Sequence, residues 1–242
     1  MGRAGTLPIT HCSARCSYVI NRDKSARLTI LSPLEAHKGR TIVFDCVGVD
    51  VGFDNPIFAC LELDYTDADA DPTGEAAAET PKMLTFYELD FGINHVSRKW
   101  SEEVDRAANK LVTVPGDAEG PGGVLICAEN WILYKNMDHE TIRTPIPRRS
   151  DMPDERGLLI VSAATYKSKD FFFFLLQSEF GDLYKVTLDV QEGTQTVQDM
   201  HVKYFDTIPV ANSLCLSKRG FLFAASEFGD QYVGFAWTMV PR

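Results

Sequence analysis

Residues 171–184 read FFFFLLQSEFGDLY, and residues 220–232 read GFLFAASEFGDQY. Each stretch has an apolar run, the pentapeptide Ser-Glu-Phe-Gly-Asp, one further residue and a tyrosine. The two pentapeptides begin at Ser178 and Ser226, which are 48 residues apart. A looser copy, VLICAENWILY, precedes them at residues 124–134. A glycine in a short turn between two apolar runs is typical of a β-hairpin, so the repeat predicts recurring strand–turn–strand units.

Short apolar or β-branched runs recur along the rest of the chain. Most are five to eight residues long, which is the usual length of a strand. They lie at residues 42–51, 57–63, 83–89, 123–127, 131–134, 158–163, 171–176, 183–188 and 222–225. Helix signals are weak. Residues 72–80 (PTGEAAAET) have helical composition without an apolar face, and residues 101–111 are compatible with a helical turn. The sequence therefore predicts an all-β fold.

The period of the repeat narrows the all-β alternatives. A unit of about 50 residues with a strand–turn–strand core is typical of a β-propeller blade. The alternative is a β-sandwich that contains two similar hairpins. The shared pentapeptide favours the propeller, with blades at roughly residues 17–50, 51–115, 116–170 and 171–235. Four blades are few for a closed ring, so this is either a small ring or part of a larger one.

The charge of the chain bears on its partners. Its 242 residues include 24 Lys and Arg and 34 Asp and Glu, for a net charge of −10. Broad binding of a phosphate backbone needs a basic surface, so the balance argues against a direct RNA-binding module. Residues 62–79 contain seven acids and no Lys or Arg. A calcium loop starting at Asp67 would need glycine and glutamate where Pro72 and Ala78 stand, so we predict a solvated acidic loop that could bind a partner.

No catalytic or metal-binding constellation is recognisable. There is no Cys-x-x-Cys pair and no Gly-x-Ser-x-Gly motif, and the histidines are scattered. His11, Cys12 and Cys16 could ligate zinc, but no fourth ligand is evident. Without a secretory signal, the six cysteines indicate a reduced, intracellular protein. The sequence predicts a protein that is not an enzyme and uses no cofactor or metal.

One short basic stretch, PIPRR at residues 145–149, has two interpretations. It could be a docking strand for an acidic partner or a phosphate group. The simpler interpretation is an exposed connection between blades, and we favour it.

Several stretches of the sequence resemble a known family. They include LSPLEAHK at residues 31–38, VGVDVGFDNPIFACLELDY at 47–65, LTFYELDFGINH at 84–95, KYFDTIPVA at 203–211 and GFLFAASEFG at 220–229. These stretches are similar to the large β-propeller family of splicing factor 3b subunit 3. That family also includes the DNA damage-binding adaptor of cullin ligases and the large subunit of the cleavage and polyadenylation specificity factor. The splicing branch is the nearest of the three.

The resemblance implies an architecture and a role. Family members are long chains with three seven-bladed propellers and a helical C-terminal part. This chain would cover about four blades of an incomplete seven-bladed propeller, with divergent ends at residues 1–16 and 236–242. The implied role is a nuclear, non-enzymatic scaffold of the U2 small nuclear ribonucleoprotein. Its partners would be the HEAT-repeat large subunit and the small subunits of splicing factor 3b, and RNA would be contacted mainly through them.

Two further implications concern the chain in isolation and its relatives. Because the terminal blades would be unpaired, we expect the isolated chain to be poorly soluble. The alternatives to the splicing role are a sister scaffold, in a cullin ligase or in 3′-end processing, and a truncated copy without function.

By analogy with the family, two stretches are expected to face partners, at residues 21–44 and 69–107. Stable interfaces in large assemblies combine a few aromatic or arginine anchors with a polar rim. We expect Arg22, Arg98 and Trp100 to be the anchors. The full set of expected interface residues is Asn21, Arg22, Asp23, Arg27, His37, Lys38, Asp71, Glu75, Asn94, His95, Arg98, Lys99 and Trp100.

Overall fold

A computed structural model describes most of the chain. The described residues are 5–11, 14–22, 27–30, 34–36, 39–51, 55–90, 92–93, 95–137, 139–151, 156–169, 171–191, 193–226 and 232–235. The chain divides into two compact units, Met1–Arg106 and Ala107–Arg242.

The first unit contains two antiparallel sheets. Strands β1 (Gly5–His11), β2 (Ala14–Arg22), β3 (Leu28–Ile30) and β4 (Leu34–Ala36) form the first, in which β2 pairs with the other three. Strands β5 (Thr41–Val49), β6 (Ile57–Asp64), β7 (Lys82–Asp90) and β8 (His95–Val104) form the second as a meander in chain order. Two five-residue helices, α1 (Thr66–Ala70) and α2 (Glu75–Glu79), lie between β6 and β7.

The second unit repeats the meander. Strands β9 (Lys110–Thr113), β10 (Val124–Ala128), β11 (Trp131–Lys135) and β12 (Ile142–Pro145) form one sheet. Strands β13 (Ile160–Lys167), β14 (Phe172–Ser178), β15 (Asp182–Val190) and β16 (Val197–Thr207) form the next. The last sheet has three strands, β17 (Ser213–Leu216), β18 (Phe221–Ala225) and β19 (Tyr232–Phe235). Asp117–Glu119 forms a short 3₁₀ turn.

The middle strands of each meander explain the apolar runs of the sequence. All five residues of β10 are buried, as are the last six of β14. These strands are covered on both faces, so alternation between apolar and polar residues disappears. In the second unit they build a continuous core that includes Leu125, Tyr134, Phe174 and Tyr184. The outer strand β16 alternates buried and exposed residues over its first part, because only one face packs on that core.

The predicted blade limits differ from the observed sheets by one strand. After the first, the predicted units begin before β6, β10 and β14, whereas the sheets that contain these strands begin one strand earlier, at β5, β9 and β13. Strand β5, for example, was assigned with residues 17–50 but pairs with β6. The segment between β5 and β6 contains strong turn residues, which predict a boundary between units but form a hairpin inside the sheet.

The expected helical turn at residues 101–111 is wrong, since β8 continues to Val104 and β9 begins at Lys110.

No helix in the described part of the chain is long and apolar enough to cross a membrane.

Candidate protein-binding surface

The repeated pentapeptide forms the turn between β14 and β15. The Ser178 hydroxyl accepts hydrogen bonds from the backbone N–H groups of Phe180 and Asp182, at 3.3 and 3.2 Å. Gly181 adopts φ +88°, and its N–H donates to the Ser178 carbonyl at 3.0 Å. Serine therefore caps the turn and glycine supplies the left-handed conformation, which explains why both recur. Gly229 of the second copy lies outside the described residues.

The two acids of this pentapeptide contact arginines. The Asp182 side chain is completely buried, and its Oδ1 accepts hydrogen bonds from Arg149 Nη1 at 3.0 Å and Thr207 Oγ1 at 2.6 Å. Glu179 lies 3.7 Å from Arg156, whose guanidinium stacks 4.8 Å from the centre of the Phe180 ring. Asp182 of the first pair is completely buried, whereas Arg156 of the second pair is largely exposed, so the first pair carries more of the stability.

Side-chain contacts hold the PIPRR stretch in place within the second unit. Arg148 donates to Asn130 Oδ1 at 2.6 Å and to the carbonyl of Arg156. Asn130 occupies the β10–β11 turn with φ +65°, and its Oδ1 also accepts the N–H of Leu158 at 3.0 Å. Together with the Arg149–Asp182 pair, these contacts favour a structural connection between strands over a docking strand.

Two buried tyrosines of the second unit have contrasting hydroxyl environments. Tyr134 donates a hydrogen bond to the carbonyl of Gly122 at 3.0 Å, and burial raises its pKa to about 12. The Tyr184 hydroxyl has no hydrogen bond of normal geometry among the described residues, although Ser178 lies near it. Burial and the neighbouring Asp182 carboxylate raise the pKa of Tyr184 to about 12.

These environments predict opposite effects of removing each hydroxyl. Tyr184→Phe should leave the free energy of unfolding unchanged or raise it by about 1 kcal/mol, because a buried polar group without a partner is costly. Tyr134→Phe should lower it by about 1 kcal/mol, because the Gly122 carbonyl loses its donor. Urea unfolding of the three proteins at pH 7 measures the difference. A loss of more than about 1 kcal/mol for Tyr184→Phe would mean that this hydroxyl has a partner.

The same pKa shifts predict a loss of stability at alkaline pH. A raised pKa in the folded state means that the unfolded chain releases the tyrosine proton first. The stabilising contribution is therefore complete below pH 10 and disappears as the pH approaches 12. Tyrosinate absorbance during a pH titration should show the Tyr134 and Tyr184 ionisations appearing together with unfolding.

The acidic insertion in the first unit is an ordered turn. Asp71 lies between α1 and α2, where its Oδ1 accepts from the N–H and hydroxyl of Thr73, at 2.8 and 2.7 Å, and its Oδ2 from the N–H of Ala76 at 2.8 Å. These hydrogen bonds, that from Ala76 above all, lower the pKa of Asp71. The Asp71 carboxylate therefore stabilises the turn fully at pH values above its ordinary pKa. This contribution is lost as the pH falls through the lowered pKa of the folded state. At the far end, Arg106 donates to the carbonyl of Ala77 at 3.3 Å.

The edge strand β8 presents two adjacent cations. Phe86 of β7 faces Trp100, but the next residue, Tyr87, faces Arg98, so the register passes over Lys99. Such a bulge rotates the strand locally and lets consecutive side chains point outward. Arg98 and Lys99 are accordingly both exposed, and Lys99 Nζ lies 2.7 Å from Glu88.

The β7–β8 turn lies within the stretch expected to face partners, residues 69–107, but Ile93 was not among the expected interface residues. Asp90 Oδ1 accepts the N–H groups of Gly92 and Ile93, at 2.8 and 3.3 Å, which fixes the turn. Ile93 is 70% exposed at its tip. Because this backbone is held in place before binding, the turn would lose little conformational entropy if Ile93 contacted a partner. The aspartate two residues before a glycine was the available signal for the turn, but nothing in the sequence indicated that Ile93 is exposed.

The structure places four of the expected interface residues on one strand and two at the acidic insertion. His95, Arg98, Lys99 and Trp100 lie on β8, while Asp71 and Glu75 lie at the insertion. Trp100 is half-buried, with its ring edge-on to the buried Phe86 at 5.7 Å between centres, so it supports the sheet as well as its surface. Asn21 and Arg22 are on β2, opposite Thr29 and Leu28, and Arg27 is exposed. Asp23, His37, Lys38 and Asn94 lie outside the described residues.

The described residues contain no group of three or more His, Cys, Asp or Glu side chains that could hold a metal ion. Cys12 of the zinc alternative lies outside them. The buried carboxylate of Glu62 accepts hydrogen bonds from Thr85 Oγ1 at 2.7 Å and from the Tyr87 hydroxyl at 3.0 Å. It is therefore held within the sheet.

Comparison with known proteins places these features in context. The profile of the RSE1/DDB1/CPSF1 first beta-propeller matches residues 15–236, which confirms the predicted fold class. Spliceosome-associated protein 130 A of Arabidopsis thaliana is 64% identical over 213 residues, covering 88% of this chain. Splicing factor 3B subunit 3 of Danio rerio is 57% identical over 96% of the chain, and pre-mRNA-splicing factor RSE1 of Mycosarcoma maydis is 51% identical over 88%. The chain spans 17% to 19% of the length of these relatives.

Proposed function

Because the chain belongs to the RSE1/DDB1/CPSF1 first beta-propeller family, we propose that it is a non-catalytic scaffold segment of the splicing factor 3b complex. In this role it supports branch-site recognition by the U2 small nuclear ribonucleoprotein, in the nucleus. The observation that carries the proposal is the identity of 51% to 64% with splicing proteins of a plant, a fish and a fungus. The partners are the HEAT-repeat large subunit and the small subunits of the complex.

The sheets also suggest how the scaffold is divided. We assign one blade to each four-stranded meander, β5–β8, β9–β12 and β13–β16, and part of a further blade to β17–β19. The first sheet, β1–β4, has a different pairing order, with three strands bonded to β2. The limits expected from the repeat remain a prediction, and we propose limits that follow the sheets.

The charge distribution supports binding through protein partners. The net charge of −10 opposes a phosphate backbone, and Arg148, Arg149 and Arg156 are engaged by groups of their own unit. RNA contacts would then come from the partner subunits. A scaffold of a cullin ligase or of the 3′-end processing complex is the second candidate, since those proteins share the family name.

Affinity capture from nuclear extract tests the proposed role. The 242-residue chain is tagged at its N-terminus, and bound proteins are identified by mass spectrometry before and after RNase treatment. We expect the HEAT-repeat subunit to remain bound after RNase, and U2 RNA to be lost. Cullin or cleavage-factor subunits instead would assign the chain to a sister complex. No enriched partner would indicate a copy without the family function.

We assign the partner-binding surface in the first unit to the turn at Ile93 together with Arg98 and Lys99 of β8. The acidic insertion, which lies at the opposite end of β7, is a separate part of the proposal. The turn is ordered by Asp90, and the two cations are exposed side by side. Because the turn is ordered before binding, its backbone loses little conformational entropy on association. The β2 residues Asn21 and Arg22 and the exposed Arg27 remain part of the same proposal.

Charge reversal at Arg98 provides a prediction for this surface. Arg98→Glu should lower capture of the HEAT-repeat subunit at least about tenfold, which corresponds to the loss of one anchor. Arg219→Glu is the matched control, because Arg219 is exposed on a turn of the second unit outside the proposed surface. Equal capture by Arg98→Glu and the unaltered chain would exclude Arg98 as an anchor. Circular dichroism of both variants verifies that the fold is kept.

A further inference from the structure

Two cysteines of the first unit face each other across neighbouring strands. Cys46 on β5 is directly opposite Cys60 on β6 in the antiparallel register. Their Sγ atoms are 3.0 Å apart, and the two residues are not joined by a disulfide. Opposite residues of an antiparallel pair have Cα separations of about 4.5–5.5 Å, which lie within the range that a disulfide spans. Bond formation therefore needs the sulfurs to approach by about 1 Å, with little change in the backbone.

The pair differs from the other cysteines whose surroundings the structure describes. Cys127 is buried opposite Ile132, and Cys215 is exposed opposite Phe223. Within the pair, Cys60 is 2% exposed whereas Cys46 is half-buried. Cys46 is therefore the more accessible of the two residues, and Cys60 lies next to it. Redox-sensitive cysteines are commonly arranged in this way, with an accessible thiol next to a resolving one.

We propose that Cys46 and Cys60 form a redox modification site, which a peroxide converts into a cross-strand disulfide. The Cys46 thiol attacks one peroxide oxygen, so the O–O bond breaks, a sulfenic acid forms and one water leaves. The Cys60 thiol then attacks the sulfenic sulfur, the S–S bond forms and a second water leaves. The two thiols lose two electrons in total, and these reduce one peroxide to two waters. A thiol reductant reverses the step.

The consequence is a covalent link between β5 and β6. Backbone hydrogen bonds already pair these two strands. They belong to the same sheet as β8, which forms its opposite edge and carries the exposed cations. A disulfide restricts local opening of the hairpin, because its ends can no longer separate. The inference rests on the cysteine geometry alone and stands whether or not the proposed splicing role holds.

Peptide mapping of the 242-residue chain tests this proposal. Trypsin leaves both cysteines in one peptide, residues 41–82, since no Lys or Arg lies between Arg40 and Lys82. Asp-N cleaves before Asp50 and Asp54 and separates Cys46, in residues 45–49, from Cys60, in residues 54–63. After peroxide treatment and alkylation of remaining thiols, we expect the two peptides to appear linked, at about 2 Da below their summed mass because two hydrogens are lost. Dithiothreitol should abolish the linked species.

Two variants and one control sharpen the result. Cys60→Ala should abolish the link and leave a sulfenic acid at Cys46, which dimedone traps. Cys46→Ser, at the less buried position of the pair, should also abolish the link. Cys215→Ser should leave the link unchanged. The proposal is overturned if Cys46 becomes irreversibly oxidised or joins Cys12 or Cys16 while Cys60 stays reduced, or if Cys215 oxidises and the pair does not.

Discussion

Gly181→Ala is expected to lower the free energy of unfolding by roughly 3–5 kcal/mol, since it combines left-handed strain with overpacking. Gly181 has φ +88°, and an added Cβ would lie 2.3 Å from the backbone carbonyl oxygen of Ile208. That carbonyl cannot withdraw easily. The N–H of Ile208 donates to the Gly181 carbonyl at 3.0 Å, and the buried Gln177 amide lies 3.4 Å from the Ile208 oxygen. Urea unfolding followed by tryptophan fluorescence measures the loss.

Gly193 supplies a matched control for this prediction. It has φ +87°, almost the same as Gly181, but an added Cβ there would meet nothing within 4 Å. Gly193→Ala should therefore cost only the backbone strain, about 1 kcal/mol. Equal losses for the two variants would show that strain alone explains the glycine of the repeat and that the close approach of Ile208 is unimportant.

Arg149→Ala is expected to be the second most destabilising of these changes. It removes the cation that compensates the completely buried carboxylate of Asp182. Breaking a buried pair from one side costs about 3–5 kcal/mol, and we expect roughly 2–3 here because Arg149 is itself partly exposed and water can enter. Thr207 alone would remain on Asp182 Oδ1. Chemical unfolding of the variant measures the effect.

The control is Arg156, an exposed arginine that contacts Glu179 of the pentapeptide. Arg156 lies 3.7 Å from Glu179 and its side chain is 63% exposed, so Arg156→Ala should change the free energy of unfolding by less than about 1 kcal/mol. A double-mutant cycle completes the test. In the Asp182→Asn background, Arg149→Ala should lose most of its effect, because no buried charge is left uncompensated. Additive losses would contradict the assignment of the Arg149–Asp182 pair.

The inner strands could be predicted from the sequence because they are apolar throughout. Strands β10, β14 and β18 appear as runs of hydrophobic residues, and Gly181 marks the turn that follows β14. Strands β8 (HVSRKWSEEV) and β16 (VQDMHVKYFDT) were missed, because an outer strand has one solvated face and its apolar residues are spaced among charges.

The candidate surface was less predictable than the fold. The sequence places Arg98 and Lys99 next to each other, and on a regular strand they would point to opposite faces. Only the bulge at Tyr87 exposes both, and bulges leave little trace in a single sequence. The Arg149–Asp182 pair likewise joins residues 33 positions apart, so the PIPRR stretch looked exposed until its contacts were known.

Binding of the purified 242-residue chain to the purified HEAT-repeat subunit of splicing factor 3b, without RNA, tests the central claim most directly. Size-exclusion chromatography with light scattering reports the mass of any complex. The scaffold account predicts a stable 1:1 complex that RNase does not affect and that Arg98→Glu weakens. Separate elution of the two proteins, together with binding of the chain to RNA alone, would contradict it.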